Sequence, residues 1–200
     1  MSVSPTVWLP ETIANPADIT GNQNQAGIIQ CADGSFWVTW RDFVDAGAGL
    51  DPGVDIIGQR YDALGQPIGS AVRLNPAAFV ANDERDPAYA ADAAGDGFYM
   101  AFESADIADN AHVDIVLARL DETGTTLSTL AIANDPTGDA APNNLRNPDV
   151  AMIGPANGLV GIEVDDDGLD FRRLHLSLPS SQSGDLRRAQ DVRATTLIDG

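Results

Sequence analysis

Short runs of alternating apolar and polar residues follow one another along the chain, and the same order of runs occurs three times. Residues 35–40 (SFWVTW) are followed, after an acidic segment, by residues 54–62 (VDIIGQRYD). Residues 97–102 and 113–121 repeat this order, and residues 158–159 and 170–175 repeat it more weakly. Phe36 thus matches Phe98, and Pro87 matches Pro148. The resulting period of about 60 residues is typical of a repeat architecture.

Each copy predicts four short β-strands, which we label a to d. Strand a is short and apolar, at residues 27–29, 88–91 and 149–153. Strand b is rich in aromatic and β-branched residues, which favour a pleated sheet. Strand c has apolar residues at adjacent positions, such as Ile56 and Ile57, which indicates burial on both faces of the sheet.

Turn residues separate these strands at the same places in the first two copies. The a–b turn contains glycine, most clearly at Asp33 and Gly34, which is a strong hairpin signal. The c–d turn has the sequence DALG in copy one and DETG in copy two, with Asp first and Gly fourth. That order predicts a type I turn.

These patterns predict an all-β fold, a β-propeller-like array of about three four-stranded blades. The copies span residues 25–75, 87–134 and 148–193 of a single domain covering residues 1–200, and residues 7–15 form an extra N-terminal strand. A unit buried on both faces needs neighbours to cover it. Because closed propellers typically have about 4–8 blades, we expect self-association, docking on a protein partner through blade faces and edge strands, or a natural chain that continues.

One family shares this pattern. The run DGSFWVTW, followed by DIIGQRYDALGQPIGS and VRLN, resembles the repeats of large secreted bacterial proteins of the repeats-in-toxin and adhesin type. The resemblance covers most of residues 25–193. It implies an extracellular, repetitive, propeller-like module, and it implies no catalytic residues.

The chain is strongly acidic, with a formal net charge of -19 from 25 Asp, 5 Glu and 11 Arg, and it contains no Lys. Nucleic acid and anionic membranes are therefore poor partners. The charge suits a salty or calcium-rich medium, in which counter-ions screen self-repulsion. A merely solvated surface in a salt-adapted organism is the alternative explanation.

The chain start lacks the basic and apolar regions of a secretory signal peptide. No apolar run approaches the ~20 residues of a membrane span. We expect a secreted or cell-surface location without an N-terminal signal peptide, or a place within a larger protein.

Acidic residues concentrate between strands b and c of every copy. Calcium binds about six to eight hard oxygens, which carboxylates and carbonyls supply in flexible geometry. We therefore expect Ca²⁺ to bind there, although Asp and Gly also populate ordinary exposed turns. The candidate ligands are Asp42, Asp45, Asp51, Asp55, Glu103, Asp106, Asp109, Asp114, Asp165, Asp167 and Asp170, with Asp166 in the same segment. The run DDDGLD at residues 165–170 comes nearest to a calcium loop but lacks the complete spacing of an EF-hand.

The remaining candidate side chains have structural interpretations. Cys31 is expected to be a small buried hydrophobe, because no other cysteine or nearby histidine accompanies it. The strand b aromatics are expected in the core, with a sugar-stacking platform at Trp40 and Phe102 as the alternative. The matching arginines Arg60 and Arg119 are expected to form ion pairs between strands or blades. The two histidines, His112 and His175, have no partner at metal-ligand spacing.

The sequence thus favours a non-enzymatic, extracellular structural or adhesive module that presents acidic loops. The alternative is a carbohydrate-binding or glycan-degrading propeller that uses the same loop face. Paired carboxylates for glycoside hydrolysis have the right chemistry, but the sequence selects no pair.

Overall fold

The computed structural model describes residues 13–14, 22–43, 53–79, 82–92, 95, 97–106, 113–132, 144–154, 157–165, 170–177 and 187–188. Their regular structure is β, apart from one short 3-10 turn at Ala77–Phe79, so the predicted all-β class is confirmed. The strands are β1 (Gln23–Gln30), β2 (Phe36–Phe43), β3 (Val54–Tyr61), β4 (Pro67–Arg73), β5 (Asn82–Ala91), β6 (Gly97–Asp106), β7 (Val113–Asp121), β8 (Thr126–Ile132), β9 (Asn144–Gly154), β10 (Asn157–Asp165), β11 (Asp170–Ser177) and β12 (Arg187–Arg188). No helix in this described part is long and apolar enough to cross a membrane.

The strands form three antiparallel meanders of four strands each. Unit 1 is β1 to β4, unit 2 is β5 to β8 and unit 3 is β9 to β12, each paired in chain order. The meanders follow the order of strands a to d that the repeat predicts. Units 1 and 2 are joined into one eight-stranded sheet by a single parallel bridge between Val54 and Asp83.

The first strand of every unit is longer than the sequence pattern predicts. β1, β5 and β9 begin four to six residues earlier, within segments that read as polar linkers. A bulge interrupts the pairing of each strand a with strand b. At the bulges, Gln25, Asp86 and Asn147 have positive φ angles of 51°, 46° and 47°. The polar residues before each bulge therefore still pair with strand b, although their side chains lack an apolar pattern.

The c–d turns have the predicted type I start followed by a glycine. In unit 1, the amide of Gly65 donates to the carbonyl of Asp62 at 2.9 Å. The Asp62 carboxylate accepts the amides of Leu64 and Gln66. In unit 2, the carbonyl of Asp121 accepts the Gly124 amide, and its carboxylate accepts the amides of Thr123 and Thr125.

The a–b turn also closes over four residues. The Gly34 amide donates to the carbonyl of Cys31, so Asp33 and Gly34 occupy the last two turn positions. Gly34 takes a φ of 86°, a left-handed conformation that favours glycine.

The units pack with their sheets face to face. β1 contacts β5, and β9 contacts β5, β6 and β7. In the core between units 1 and 2, Trp37 and Leu74 of unit 1 pack with Phe98 and Met100 of unit 2. The ring centroids of Trp37 and Phe98 are 6.0 Å apart. Strand β6 is buried on both faces over its described side chains, as expected for the middle sheet of a stack.

Asn75, the asparagine that ends copy one, forms hydrogen bonds with the first residues of strand c. The buried side-chain oxygen of Asn75 accepts the Ile56 amide at 3.0 Å, and its side-chain amide donates to Asp55 at 2.9 Å. Asn15 and Asn134, its counterparts in sequence, lie outside the described residues. So does most of the predicted N-terminal strand at residues 7–15, although the Tyr61 hydroxyl donates to the Ala14 carbonyl at 2.8 Å.

Candidate functional site

The structure places seven of the eleven candidate calcium ligands in strands that flank the b–c loops, and not in the loops. These are Asp42, Asp55, Glu103, Asp106, Asp114, Asp165 and Asp170. The other four, Asp45, Asp51, Asp109 and Asp167, lie outside the described residues, as does Asp166. Among the described residues, no group of three or more His, Cys, Asp or Glu is arranged to hold a metal ion. Calcium binding therefore stays a prediction.

The structure brings two of the candidate ligands, Asp42 and Asp55, directly opposite each other at the end of the β2–β3 pair. Each carboxylate already has protein partners. The side-chain amide of Gln23 donates to Asp42 at 3.3 Å. Asp55 accepts from Asn75 and lies 3.8 Å from the Arg73 guanidinium. Both carboxylates thus have hydrogen-bond donors from within unit 1.

Glu84 is a buried carboxyl group that the sequence analysis missed. The bridge between Val54 and Asp83 brings β5 alongside the start of β3, so Glu84 lies near the charge of Asp55. Its side chain is fully buried, and one oxygen has no hydrogen-bond partner among the described residues. The other oxygen accepts from the Ser104 hydroxyl at 3.4 Å. Burial, reinforced by Asp55, raises the pKa of Glu84 to about 9, so this side chain is protonated at neutral pH.

Glu103 faces the third unit and not the b–c loop, which corrects its sequence-based placement. Its side chain is fully buried. One carboxylate oxygen accepts the Asn147 amide at 2.8 Å, and the other lies 3.5 Å from the Arg146 guanidinium. Burial raises the pKa of Glu103, and these two partners offset part of that rise. Glu103 thus links unit 2 to the bulge of unit 3.

Arg41 occupies the matching position in unit 1 and makes the matching contact. Arg41 precedes Glu103 by the same interval that separates Phe36 from Phe98. Its Nε donates to the Glu84 carbonyl at 2.7 Å, next to the bulge of unit 2. Its guanidinium lies 4.8 Å from the centre of the Phe43 ring, at a distance suited to a cation–π contact. Arg41 and Glu103 have opposite charges, yet both join strand b to the next unit's strand a.

The bulge residues of units 1 and 2 also bind each other. The Asp86 amide donates to the side-chain oxygen of Gln25 at 3.1 Å, and the Gln25 side-chain amide donates to the Asp86 carboxylate. We call the whole set of residues at these bulges the inner polar cluster: Gln25, Arg41, Glu84, Arg85, Asp86, Glu103, Arg146 and Asn147.

The chemistry of the inner polar cluster is mainly mutual recognition between units. Arg85 lies 3.1 Å from the Asp83 carboxylate, and the other two arginines have the acceptors described above. A catalytic carboxyl group must reach a substrate, and Glu84 and Glu103 are fully buried. The described contacts of the cluster run between neighbouring units, from Arg41 to Glu84 and from Asn147 to Glu103.

The predicted core position of the strand b aromatics is confirmed. Trp40 is 6% exposed and Phe102 is fully buried, and Trp37 and Tyr99 are also buried. Burial on this scale leaves neither Trp40 nor Phe102 a free face on which a sugar ring could stack. Cys31 is free and buried in the core between units 1 and 2, as expected.

The predicted arginine pairs are also confirmed, at the opposite end of the sheets from the inner polar cluster. Arg60 lies 2.8 Å from Asp33 in its own unit and 3.6 Å from Glu122 in unit 2. Arg119 pairs with Asp92 at 2.8 Å. His175 lies in β11, whereas His112 is outside the described residues.

Comparison with known proteins shows a distant structural likeness. No protein-family model matches the sequence. No curated protein matches it either. Among solved structures, the chain is similar to the Hadza microbial sialidase Hz136, with 13% sequence identity and a TM-score of 0.45 over 86% of this chain and 47% of the sialidase. The chain spans about half the length of that enzyme.

Proposed function

We propose that this protein is a non-enzymatic structural or adhesive module, a propeller-like stack of four-stranded units that holds acidic loops on one face for a partner. The observation that carries the proposal is the recurring contact at the inner polar cluster. Glu103 in unit 2 binds the bulge residue of the following unit, and Arg41 in unit 1 binds the strand just before the bulge of the following unit. These two charged side chains thus hold adjacent units together.

The packing of the first strands supports the propeller-like arrangement. β1 packs against β5, and β5 packs against β9, so the strand a of each unit lies beside the strand a of the next. The outer strand of unit 1, β4, is exposed along its whole length. Inner strands that pack together and outer strands that face solvent are what radial stacking around an axis requires.

The position of the acidic segments supports a presenting role. The b–c connection of unit 1 leaves from the end of the sheet at which the inner polar cluster lies, because strand b ends at Phe43 directly opposite Val54, which begins strand c. Loops on a rigid scaffold are the usual carriers of binding function. With a net charge of -19, a calcium-rich extracellular medium would screen these segments, and their carboxylates are the hard oxygen ligands that calcium prefers.

An assay for glycoside hydrolysis tests the proposal against its enzymatic alternative. Micromolar protein would be incubated with a panel of aryl glycosides and with natural oligosaccharides, and product release measured for the wild type and for a variant carrying Asp42→Asn and Asp55→Asn. We expect no release from either protein. Turnover by the wild type that the double variant loses, while both melt at the same temperature, would establish an enzyme and overturn the proposal.

A further inference from the structure

Glu84 lies at the junction of units 1 and 2, among the contacts that join the two units. Its carbonyl accepts from the Arg41 Nε at 2.7 Å. The residue before it, Asp83, forms the parallel bridge to Val54. Asp86, two residues after it, is hydrogen-bonded to the bulge of unit 1. A change at Glu84 therefore acts where the two units are held together.

The side chain of Glu84 belongs to the buried surface between these units. Glu84 is opposite Ser104 in the β5–β6 pair, so the two side chains share one side of the sheet. By alternation along β6, that side also carries Phe98, Met100 and Phe102, which belong to the core between units 1 and 2. Glu84 thus places an ionisable group at one end of an apolar interface.

The surroundings of this carboxyl group favour its neutral form. One oxygen has no hydrogen-bond partner among the described residues, and the other accepts from the Ser104 hydroxyl at 3.4 Å. Burial, and then the charges of Asp55 and Asp83, raise the pKa of Glu84 to about 9. An ionised carboxylate without donors is costly to bury, so the charged form of Glu84 favours any arrangement in which water reaches it.

The charged groups on the neighbouring strands do not neutralise Glu84. Among the described residues, no arginine forms an ion pair with its carboxyl group; Arg41 uses its Nε on the carbonyl and lies against the Phe43 ring. Asp114 of β7 is opposite Ser104 and adds a carboxylate on the same side. The other described charged side chains on the strands near Glu84, none of which is hydrogen-bonded to its carboxyl group, are Asp42, Arg85, Asp86, Glu103, Arg146 and Asp149.

Separating the two units breaks fewer hydrogen bonds than unfolding either of them. Within each unit, antiparallel ladders join the strands in chain order. Between units 1 and 2, the described backbone pairing is the single bridge from Val54 to Asp83. Parts of a protein that are joined by few such bonds open at a lower free energy than the whole fold.

We propose that ionisation of Glu84 separates units 1 and 2 at this junction while the strands within each unit stay paired, so that pH controls how the units are arranged. In the separated state, Glu84 is in water and ionises near its ordinary value of 4.5. Separation then releases the proton that the packed state holds up to about pH 9. The equilibrium constant for separation should therefore rise roughly tenfold per pH unit between these two values.

The thiol of Cys31 reports on this separation, because it is free and buried in the core between units 1 and 2. Its alkylation rate, divided by the rate for the urea-unfolded chain at the same pH, gives the fraction of time for which it is exposed. From pH 6 to pH 8, this fraction should rise roughly 100-fold in the wild type and in Glu122→Gln, a control at an exposed glutamate. In Glu84→Gln it should stay nearly constant.

Two further thiols, introduced one at a time with Cys31→Ser, locate the opening. Ile115 and Val116 are adjacent on β7 and fully buried on opposite faces, and Val116 belongs to the core between units 1 and 2. The thiol of Val116→Cys should be exposed as often as that of Cys31, and at least about tenfold more often than the urea-derived unfolding constant of the variant allows. The thiol of Ile115→Cys should be exposed only as often as its variant unfolds.

Exposure of Cys31 at the level of global unfolding at every pH would overturn the inference, because Glu84 would then act on the fold as a whole. So would equal exposure of the two introduced thiols relative to the unfolding of their variants, or a Glu84→Gln protein with the pH dependence of the wild type. The inference rests on the packing of units 1 and 2, and none of these results bears on whether the protein hydrolyses glycans.

Discussion

Gln25 and Asp86 bind each other through two hydrogen bonds across the junction of units 1 and 2, and both have the left-handed backbone of a bulge. The interval between them is the same as the interval from Asp86 to Asn147, the third bulge residue. In unit 3, the Asn147 amide has a different acceptor, the carboxylate of Glu103. The bulge is thus a recurring point of attachment whose partner changes from junction to junction.

We expect Gln25 and Asp86 to be energetically coupled. In a double-mutant cycle with Gln25→Ala and Asp86→Ala, followed by urea unfolding, the coupling free energy should be about 0.5–1.5 kcal/mol. Gln66→Ala paired with Asp86→Ala is the control, because Gln66 lies in the c–d turn. That pair should be additive within about 0.5 kcal/mol. Additivity of the first pair would show that the bulges are only neighbours.

The protonated Glu84 should make the fold less stable as the pH rises. Its pKa of about 9 in the folded protein lies above the value of 4.5 expected when it is exposed. The stability that goes with the neutral form is complete below about pH 4.5 and is lost progressively towards pH 9. By linkage, the loss between pH 4.5 and pH 7 is on the order of 3 kcal/mol.

Glu84→Gln keeps the shape of the side chain and removes its charge. Urea unfolding from pH 5 to pH 9 should show this variant gaining stability over the wild type steadily as the pH increases. Glu122→Gln is the control, since Glu122 is an exposed glutamate, and it should follow the wild type closely. If Glu84→Gln and the wild type have parallel pH profiles, Glu84 does not carry the buried proton.

Alanine substitutions at two glycines with similar φ angles should distinguish the cost of backbone strain from the cost of steric overlap at the junction of units 1 and 2. Gly69 and Gly124 have φ angles of 69° and 81°, but an added Cβ at Gly69 meets nothing, whereas at Gly124 it lies 3.0 Å from Leu74 and Trp37. Gly69→Ala should cost about 1–2 kcal/mol of unfolding free energy from backbone strain alone. Gly124→Ala should cost about 1–3 kcal/mol more, from overpacking at the junction. Equal losses of unfolding free energy for the two variants would mean that the space around Gly124, next to Trp37, can accommodate an added methyl group.

Truncating the strand b aromatics should damage the fold. Trp40→Ala and Phe102→Ala each remove a ring from a buried site, and such truncations cost about 3–5 kcal/mol. Leu127→Ala, at a position 46% exposed on β8, should stay within about 0.5 kcal/mol of the wild type. Unchanged denaturation midpoints for both aromatic variants would show that these rings are exposed, and would favour the sugar-stacking platform instead.

The acidic loops predict stabilisation by calcium. A ligand that binds only the folded state at about 100 times its dissociation constant adds about 2.7 kcal/mol. The melting temperature should therefore rise more in millimolar CaCl₂ than in NaCl of equal ionic strength. Equal rises in the two salts would leave only screening of the net charge and would remove the specific site.

The sequence predicted the parts of the fold that depend on local chemistry. The aromatic b strands are buried, and Asp62 and Asp121 make the turns that their position before a glycine indicates. Arg60 and Arg119 form ion pairs, since a buried or half-buried guanidinium needs an acceptor wherever the fold provides one. The burial and the turns follow from residues close together in the sequence or from one face of one strand, and the ion pairs follow from the charge of the guanidinium rather than from the identity of its partner.

The inner polar cluster could not be predicted because its contacts run between units. The stretch around Asp83 and Glu84 reads as a linker, and only pairing with β6 and the bridge to Val54 makes it a strand. Arg41 and Glu103 match in position but not in charge. Comparing the copies therefore does not show that both side chains bind the first strand of the next unit. One signal was present: the interval between successive bulge positions is constant, as it is at the other matched positions of strand a, whereas the intervals at the matched positions Phe36/Phe98 and Asn75/Asn134 differ from it.

That constant interval also bears on how such a chain is inherited and rebuilt. A segment running from one bulge to the next carries a complete set of contacts to the unit before it and the unit after it. Duplication or recombination between equivalent bulge positions would therefore insert or delete one whole unit and keep the two halves of strand a in register, whereas the connecting loops differ in length and fix no such register. The bulge residues, and not the variable loops, mark the natural seams at which a genome or a protein engineer can lengthen the array.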